Sequence, residues 1–362
     1  MTSEPRIAFV IDALPSLGGG EKVLFTALKL YPYADIFTLI YNAPVFINTP
    51  VARRSIKTSW LNGLPLAQRH HRLFLPLMPS TIERFDLRAY DYVVSFSYAV
   101  AHGVMNYNGA RHVSYTYTPM RYAWTDLNLN GTHSHKNLIL DGFMRAFRKW
   151  DRRAASRVHA FASISQSVSR RITDAYQRAA PVIYPPVDVD RFSPLCSREN
   201  YYITITRLVP HKRVDLIVEA FSKMKLPLVV VGDGPELPRL QRMAGSNIHF
   251  LGYVPDDQVV ELLGRARAFV SAAEEDFGIA IVEAQAAGCP IIAYGKGGAL
   301  ETVIPNVTGL HFGEQAVESL IQAVENFERT HPCFHIDDLL GNAQRYAKER
   351  FLSEFQKFVI GI

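Results

Sequence analysis

SAAEEDFGIAIVEAQAAGCPIIAYGKGGALETV, residues 271–303, decides how the rest of the chain is read. The apolar run ARAFVSA just before and into it predicts a buried strand. Three acids follow, Glu274, Glu275 and Asp276, then Phe277-Gly278, and only then the helical pattern IAIVEAQAAG. Strand, tight turn and helix in that order point helix N–H groups and a partial positive charge back at the turn. That is where an α/β protein holds phosphate or a polyhydroxyl ligand. Gly288-Cys289-Pro290 stops the helix, IIAY makes the next strand, and Gly295, Gly297 and Gly298 open a second turn before ALETV. Two ligand-facing turns are therefore expected side by side.

Glu275 precedes the helix and Glu283 lies about one and a half turns inside it. At roughly 1.5 Å rise per residue they reach different parts of one extended ligand. They do not fit the facing acid pair of a glycoside hydrolase, which flanks a single bond. Taken alone, the three acids also read as ordinary charges at a helix N-terminus.

The order acid-x-Phe-Gly, the seven residues between Glu275 and Glu283, the Ala-Ala-Gly-Cys-Pro stop and Gly-Gly-Ala-x-Glu-Thr-Val together resemble one family, the GT4 retaining glycosyltransferases with their E-x7-E signature. ITRLVPHKRVDLIVEAF, VVVGDGPE and HFLGYVPDDQVVELL extend the resemblance, which runs nearly end to end and is strongest from about Pro185. Bacterial surface-polysaccharide mannosyltransferases carry patterns like TPMRYAW. The resemblance implies a GT-B architecture: two Rossmann-like, doubly wound parallel-sheet domains facing a cleft, with a C-terminal helix, 345–362, crossing back to the first. It implies an acceptor-binding domain over 1–184 and a nucleotide-sugar donor domain over 185–344.

It also implies roles. Arg207 and Lys212, an R-x4-K pair, would grip the donor's diphosphate, helped by N–H groups around Phe277, Gly278 and Ile279. Glu283 would accept from the ribose hydroxyls and Glu275 from those of the donated sugar, with Gly298 in the neighbouring turn. Gly18, Gly19 and Gly20 would lie across the cleft from the diphosphate. Relatives often have His-Thr-Pro where this chain has Tyr117-Thr118-Pro119. Tyr117 can donate a hydrogen bond but does not titrate near neutral pH. His102, Tyr117 and Arg121 are the expected cleft or acceptor contacts, because strand ends face the ligand in doubly wound folds. GDP-mannose is the first expected donor and a UDP-sugar the second, with a glycan or lipid-linked saccharide as acceptor and no metal or other cofactor. A GT-B-like nucleotide-sugar epimerase and a non-catalytic glycan-binding relative share the plan. A dinucleotide-dependent oxidoreductase would need a G-x-G-x-x-G fingerprint that is missing.

Composition agrees with two cores: 362 residues, 48% of them apolar. No run of about 18 apolar residues is present and MTSEPRIAFVIDA enters a strand directly, so a cytoplasmic protein is expected. Cys196, Cys289 and Cys333 are scattered and odd in number, against a disulfide framework or zinc site. The sequons at Asn130 and Asn306 then read as chance matches. Residues 1–190 hold 22 Lys+Arg against 13 Asp+Glu, net +9; the remainder holds 17 against 21, net −4. A basic first half suits a lipid phosphate or the inner face of the cell membrane, or else a solvated face. No zinc-finger or aromatic RNA-binding signature supports nucleic acid.

In that half, PRIAFVIDA predicts a strand and Leu17-Gly18-Gly19-Gly20-Glu21 the turn before the helix KVLFTALKL. LAQRHHRLFLPLMP sets Arg69, His70, His71 and Arg72 beside Leu73, Phe74, Leu75 and Leu77. This stretch can dip into a bilayer surface or pack on its own domain, with Pro76 and Pro79 keeping any helix short. Asp126 to His135 reads as an acceptor loop, and six basic residues between Arg145 and Arg157 as a solvated helix face. Prolines over 184–199 mark the interdomain linker. Asp188-Val-Asp190 there looks like a D-x-D metal site, but it follows Pro185-Pro186 in a linker, and that reading is rejected.

Overall fold

A computed structural model of the chain describes residues 5–105, 109–124, 138–194, 198–330 and 334–361. The segment Asp126 to His135, as well as Cys196 and Cys333, lies outside the described residues. The chain divides into two compact units, one running to Pro186 and taking in Phe351–Ile362, the other Val187–Arg350.

The first unit holds six strands: β1 (Ile7–Ile11), β2 (Asp35–Thr38), β3 (Ile56–Thr58), β4 (Tyr92–Ser97), β5 (Arg111–Thr116) and β6 (Ala160–Ser163). They pair in the order β3-β2-β1-β4-β5-β6, every ladder parallel. The second holds β7 (Tyr202–Ile205), β8 (Leu228–Val231), β9 (Ile248–Gly252), β10 (Ala268–Ser271), β11 (Ile291–Tyr294) and β12 (Gly309–Phe312), ordered β12-β11-β10-β7-β8-β9 and also all parallel. Both orders reverse once, between β1 and β4 and between β7 and β10. At such a switch point the loops leaving two adjacent strands diverge and open a crevice at the strands' carboxyl ends.

The central strands are buried on both faces, while the edge strands β3 and β9 keep exposed positions. AFVS and IIAY, four residues each, are buried throughout, the continuous apolar pattern of a parallel sheet covered by helices. Those helices are amphipathic: Val214–Met224 buries Val214, Leu216, Ile217, Val218, Ala220 and Phe221. Gln166–Tyr176 is started by Ser165, whose side chain accepts from the Val168 N–H. The last helix, Lys348–Ile360, puts Phe351, Phe355 and Val359 into the first unit's core, where Phe355 stacks on Phe96 at 5.8 Å and meets Tyr115 edge-on.

One local expectation changes, and another region takes the short helical form its prolines predict. The glycine-rich stretch is not a free turn, because the helix begins at Gly19, with Gly18 as its N-cap and Gly20 in its first turn. The Tyr117 ring lies 3.5 Å from where a Gly20 Cβ would stand, and its O–H donates to the Gly20 carbonyl at 2.8 Å, so the aromatic pins this turn. The basic and apolar region forms a 3-10 helix, His71–Leu77, continued as the short helix Met78–Ile82, and it keeps Leu66 65% and Leu73 74% exposed.

Candidate active site

The switch point of the second sheet gathers the charged residues. Two residues past the end of β7 stands Arg207, exposed, and after it the 3-10 turn Pro210–Lys212. Arg213 then takes a left-handed conformation, φ 51°, and starts the helix Val214–Met224. From β10 the chain runs through Glu274, Glu275 and Asp276 to Gly278 and the helix Ile279–Ala286. The two loops meet: Lys212 Nζ donates to Glu275 Oε1 at 2.8 Å and Oε2 at 2.7 Å, with the side chains 21% and 17% exposed. A lysine clasped by both carboxylate oxygens, yet reachable from solvent, is a cation held ready beside a helix N-terminus.

Gly278 caps that helix at φ 93°, a region where a Cβ is strained, and as a glycine it brings no side chain of its own to the helix end. The first-turn N–H groups of Gly278, Ile279 and Ala280 point along the helix axis with no carbonyl ahead of them in the helix. Phe277 is different, since its side chain is buried and packs edge-on against Tyr346 at 5.2 Å. Only its backbone is suited to a ligand. The second glycine turn is laced to the first: Gly298 N–H donates to the Glu275 carbonyl at 2.6 Å, and Glu275 and Gly297 form a parallel bridge. A Cβ at Gly298 would stand 2.4 Å from Phe277 Cα, so only glycine permits this approach.

Glu283, on the helix that Gly278 starts, is nearly buried. Its Oε1 accepts from Arg191 Nη2 at 3.1 Å, while Arg191 Nη1 reaches Asp256 Oδ2 at 2.5 Å. Sequence reasoning missed Arg191. It lies in the linker beside the rejected D-x-D, 92 residues from Glu283, and no local pattern signals the pair. Asp188 itself forms an ion pair with Lys348 at 2.5 Å.

In the first unit the equivalent crevice is organised by Asp12, also missed. Its carboxylate is buried past the end of β1 and accepts the backbone N–H groups of Tyr98, Ala99, Val100 and Ala101, fixing the loop after β4. Burial pushes its carboxyl above the usual range, against the pull of those N–H groups and of His102. His102, expected as an open contact, is 2% exposed and must be corrected. Its Nδ1 meets Ser97 Oγ at 3.0 Å and its Nε2 meets Asp151 Oδ1 at 3.0 Å, while Asp151 Oδ2 accepts from Trp124 Nε1 and the Tyr176 O–H. The imidazole ties the helix Leu138–Ser156 to the sheet and has no surface to offer a substrate. Tyr117 is half-buried with its hydroxyl on Gly20, and burial holds its pKa well above the usual phenol value, so it stays protonated near neutral pH. Arg121 is half-buried and opens the helix Arg121–Trp124.

A groove of about 530 Å³ runs along the helix Leu138–Ser156, lined among the described residues by Arg145, Arg148, Lys149, Arg152, Arg153 and Ser156. Arg148 donates to the Ala123 carbonyl, and Arg152 to the Ala175 carbonyl. Among the described residues no cluster of His, Cys, Asp and Glu could hold a metal ion, and no helix is long and apolar enough to cross a membrane.

Residues 188–349 match the family model described as glycosyl transferases group 1. They form a glycosyltransferase group 1 domain. Arg191, Arg207, Lys212, Glu275, Glu283 and Gly298 all fall within it. The chain is 30% identical over 236 residues to the GDP-mannose-dependent alpha-(1-6)-phosphatidylinositol monomannoside mannosyltransferase of Mycobacterium tuberculosis, covering 56% of this chain and 61% of that one. It is 32% identical over 213 residues to the GDP-mannose-dependent monoacylated alpha-(1-6)-phosphatidylinositol monomannoside mannosyltransferase of Corynebacterium glutamicum, covering 49% and 55%. The chain thus spans between half and two thirds of the length of these curated relatives. Among solved structures, Anabaena HepE in complex with UDP and glucose superposes with a TM-score of 0.73 at 18% identity, over 99% of this chain and 100% of that one. Sucrose-phosphate synthase of Thermosynechococcus elongatus does so at 0.74 and 15%, over 98% of each. These likenesses establish the fold, with the group 1 domain as the second of two Rossmann-like parallel-sheet units of the GT-B kind.

Proposed function

We propose that the protein is a retaining, metal-independent glycosyltransferase that moves a hexose from a nucleotide-diphosphate sugar to a glycan or lipid-linked saccharide. The observation that carries this is the Lys212–Glu275 pair at the switch point of a group 1 domain, beside the helix N-terminus that Gly278 starts. GDP-mannose is the first donor, supported by the mannosyltransferases the chain is similar to, and a UDP-sugar is the second, supported by the UDP-sugar complexes of HepE.

Transfer breaks the bond from the anomeric carbon to phosphate oxygen and forms one to the acceptor oxygen on the same face of the sugar. Both electrons of the broken bond go to the diphosphate. The acceptor's proton passes to the departing phosphate oxygen, so no protein base is required. Negative charge grows on the diphosphate and positive charge on the ring, and fixed counter-charge lowers that barrier. Arg207 and Lys212 supply cations to the diphosphate, and the N–H groups at Phe277, Gly278 and Ile279 add to them. Glu275 accepts from the donated sugar and faces the charge on its ring, Glu283 accepts from the ribose, and Gly298 leaves room for the turn between them. Gly18, Gly19 and Gly20, with Tyr117 and Arg121, are the first unit's own candidate ligand contacts. Exposed Leu66 and Leu73 among Arg69, His70 and Arg72 support peripheral contact with an anionic membrane face, consistent with a cytoplasmic protein acting on a lipid-linked acceptor.

The test is nucleotide release from a panel of GDP- and UDP-sugars with glycan and lipid-linked acceptors, with and without a chelator. Turnover that persists in chelator, with the anomeric configuration kept, is expected. Epimerised donor, or no turnover with any donor and acceptor class, would sink the proposal.

A further inference from the structure

Glu283 is nine parts in ten buried, and a charge so placed depends on the partners that meet it. The residues around it on its own helix, Ile281, Val282, Ala284, Gln285 and Ala286, are buried, and none carries a charge that could pair with it. A cation reaches it from another segment of the chain. Arg191 ends the 3-10 turn Val189–Arg191, its guanidinium lies over the Phe192 ring at 4.6 Å, and its two terminal nitrogens go to different carboxylates, Nη2 to Glu283 and Nη1 to Asp256. A planar fork held by an aromatic face on one side and an acid at each tip has one orientation. Asp256 is mostly exposed at the start of the helix Asp256–Arg265 and serves as the outer anchor, so the fork transmits the position of that helix end to Glu283. Arg191 Nε is buried with no acceptor among the described residues, a cost the protein carries to keep the fork where it is.

We infer that Arg191 is a positioning residue: it sets the Glu283 carboxylate for recognition of a vicinal diol, the ribose of the donor nucleotide. This rests on the proposed function and names a residue outside the roles given there. Arg191 touches no substrate in this scheme. Its effect appears only through Glu283, and therefore only when the ligand carries the hydroxyl that Glu283 accepts.

The experiment measures, by calorimetry on the full chain, the affinity of the nucleoside diphosphate that binds best among GDP, UDP and ADP, and of its 2′-deoxy and 3′-deoxy counterparts. A charge-assisted hydrogen bond makes the ribonucleotide about tenfold tighter or more in the unsubstituted protein. Arg191→Gln should bring the ribo and deoxy affinities within about threefold of each other while leaving the deoxy affinities near their original values. Glu283→Gln should do the same, and the two together should add nothing further. Arg191→Lys, which keeps the charge and is the safer variant to fold, should retain part of the preference. An Arg191→Gln protein that keeps the full preference, or that loses ribo and deoxy affinity equally, overturns the inference while leaving the enzyme reading intact. If no nucleoside diphosphate binds the unsubstituted protein, both fall.

Discussion

Lys212 and Glu275 neutralise each other, so a donor diphosphate has to compete with Glu275 for the same ammonium. That makes Glu275→Gln a substitution whose two effects run in opposite directions. With the carboxylate gone, one negative charge leaves the neighbourhood of the bound diphosphate. At about 6 Å and an effective dielectric near 20 that charge repels a phosphate by roughly 3 kcal/mol. Glu275 and Lys212 are about one-fifth exposed, so salt and water screen about half of it, leaving roughly 1.5 kcal/mol, or about tenfold in affinity. Free GDP or UDP should therefore bind the variant about tenfold tighter, with a gain that shrinks as ionic strength rises. Turnover should move the other way. The amide accepts less strongly from the donated sugar and offers no charge to its ring, costing roughly 1.5–3 kcal/mol, or about 10- to 150-fold in kcat. Calorimetry with the nucleotide and a release assay with the sugar donor read the two quantities separately. If the variant binds nucleotide no tighter than the unsubstituted protein, the diphosphate does not share Lys212 with Glu275 and the reasoning fails.

Gly298→Ala should destabilise the second unit by about 2–3 kcal/mol, because its Cβ meets backbone atoms of Phe277 that no rotamer change can move; an unshifted denaturant midpoint would show that the two turns can part. Asp151→Ala strips the shared acceptor from His102, Trp124 and Tyr176 at once and should cost about 3–5 kcal/mol, read as a lower midpoint at unchanged m-value, with Asp151→Asn costing less. His112 is buried and burial lowers its pKa from 6.5 to about 3. The unfolded chain takes up that proton below about 6.5 and the folded one does not until about 3, so stability falls as pH drops through this window, by about 2 kcal/mol at pH 5. His112→Gln should lose about that much less between pH 7 and pH 5 than the unsubstituted protein, and equal losses would refute the assignment.

The second unit was legible because its signals are local. Runs such as LVVV, AFVS and IIAY are short and apolar, LVVV and IIAY are each bounded by a Pro and a Gly, and helical periodicity returns between the runs, so strand, turn and helix can be placed at Gly278 from the sequence. The Gly18-Gly19-Gly20 stretch misled, because glycine signals a turn by propensity, while here tertiary packing of Tyr117 against Gly20 lets the helix start early. Illegible altogether were contacts that join distant segments. Asp12 holds a loop 86 to 89 residues on, and Arg191 meets Glu283 across 92; nothing in composition or spacing distinguishes these two from other surface-prone charges. His102 shows the same limit from the other side, since a position near a strand end does not say which way a ring will turn.

The last dozen residues carry a consequence for how the molecule is made. Phe351, Phe355 and Val359 are fully enclosed in the first unit, with Phe355 stacked on Phe96, both phenylalanines edge-on to Tyr115 and Arg111 donating to the Val359 carbonyl, whereas Val187–Arg350 is one uninterrupted stretch. On the ribosome the portion synthesised first must wait with its interior open, and the portion synthesised second can close before it. A released chain that stops just short of Phe351 would offer a protease its beginning rather than its middle.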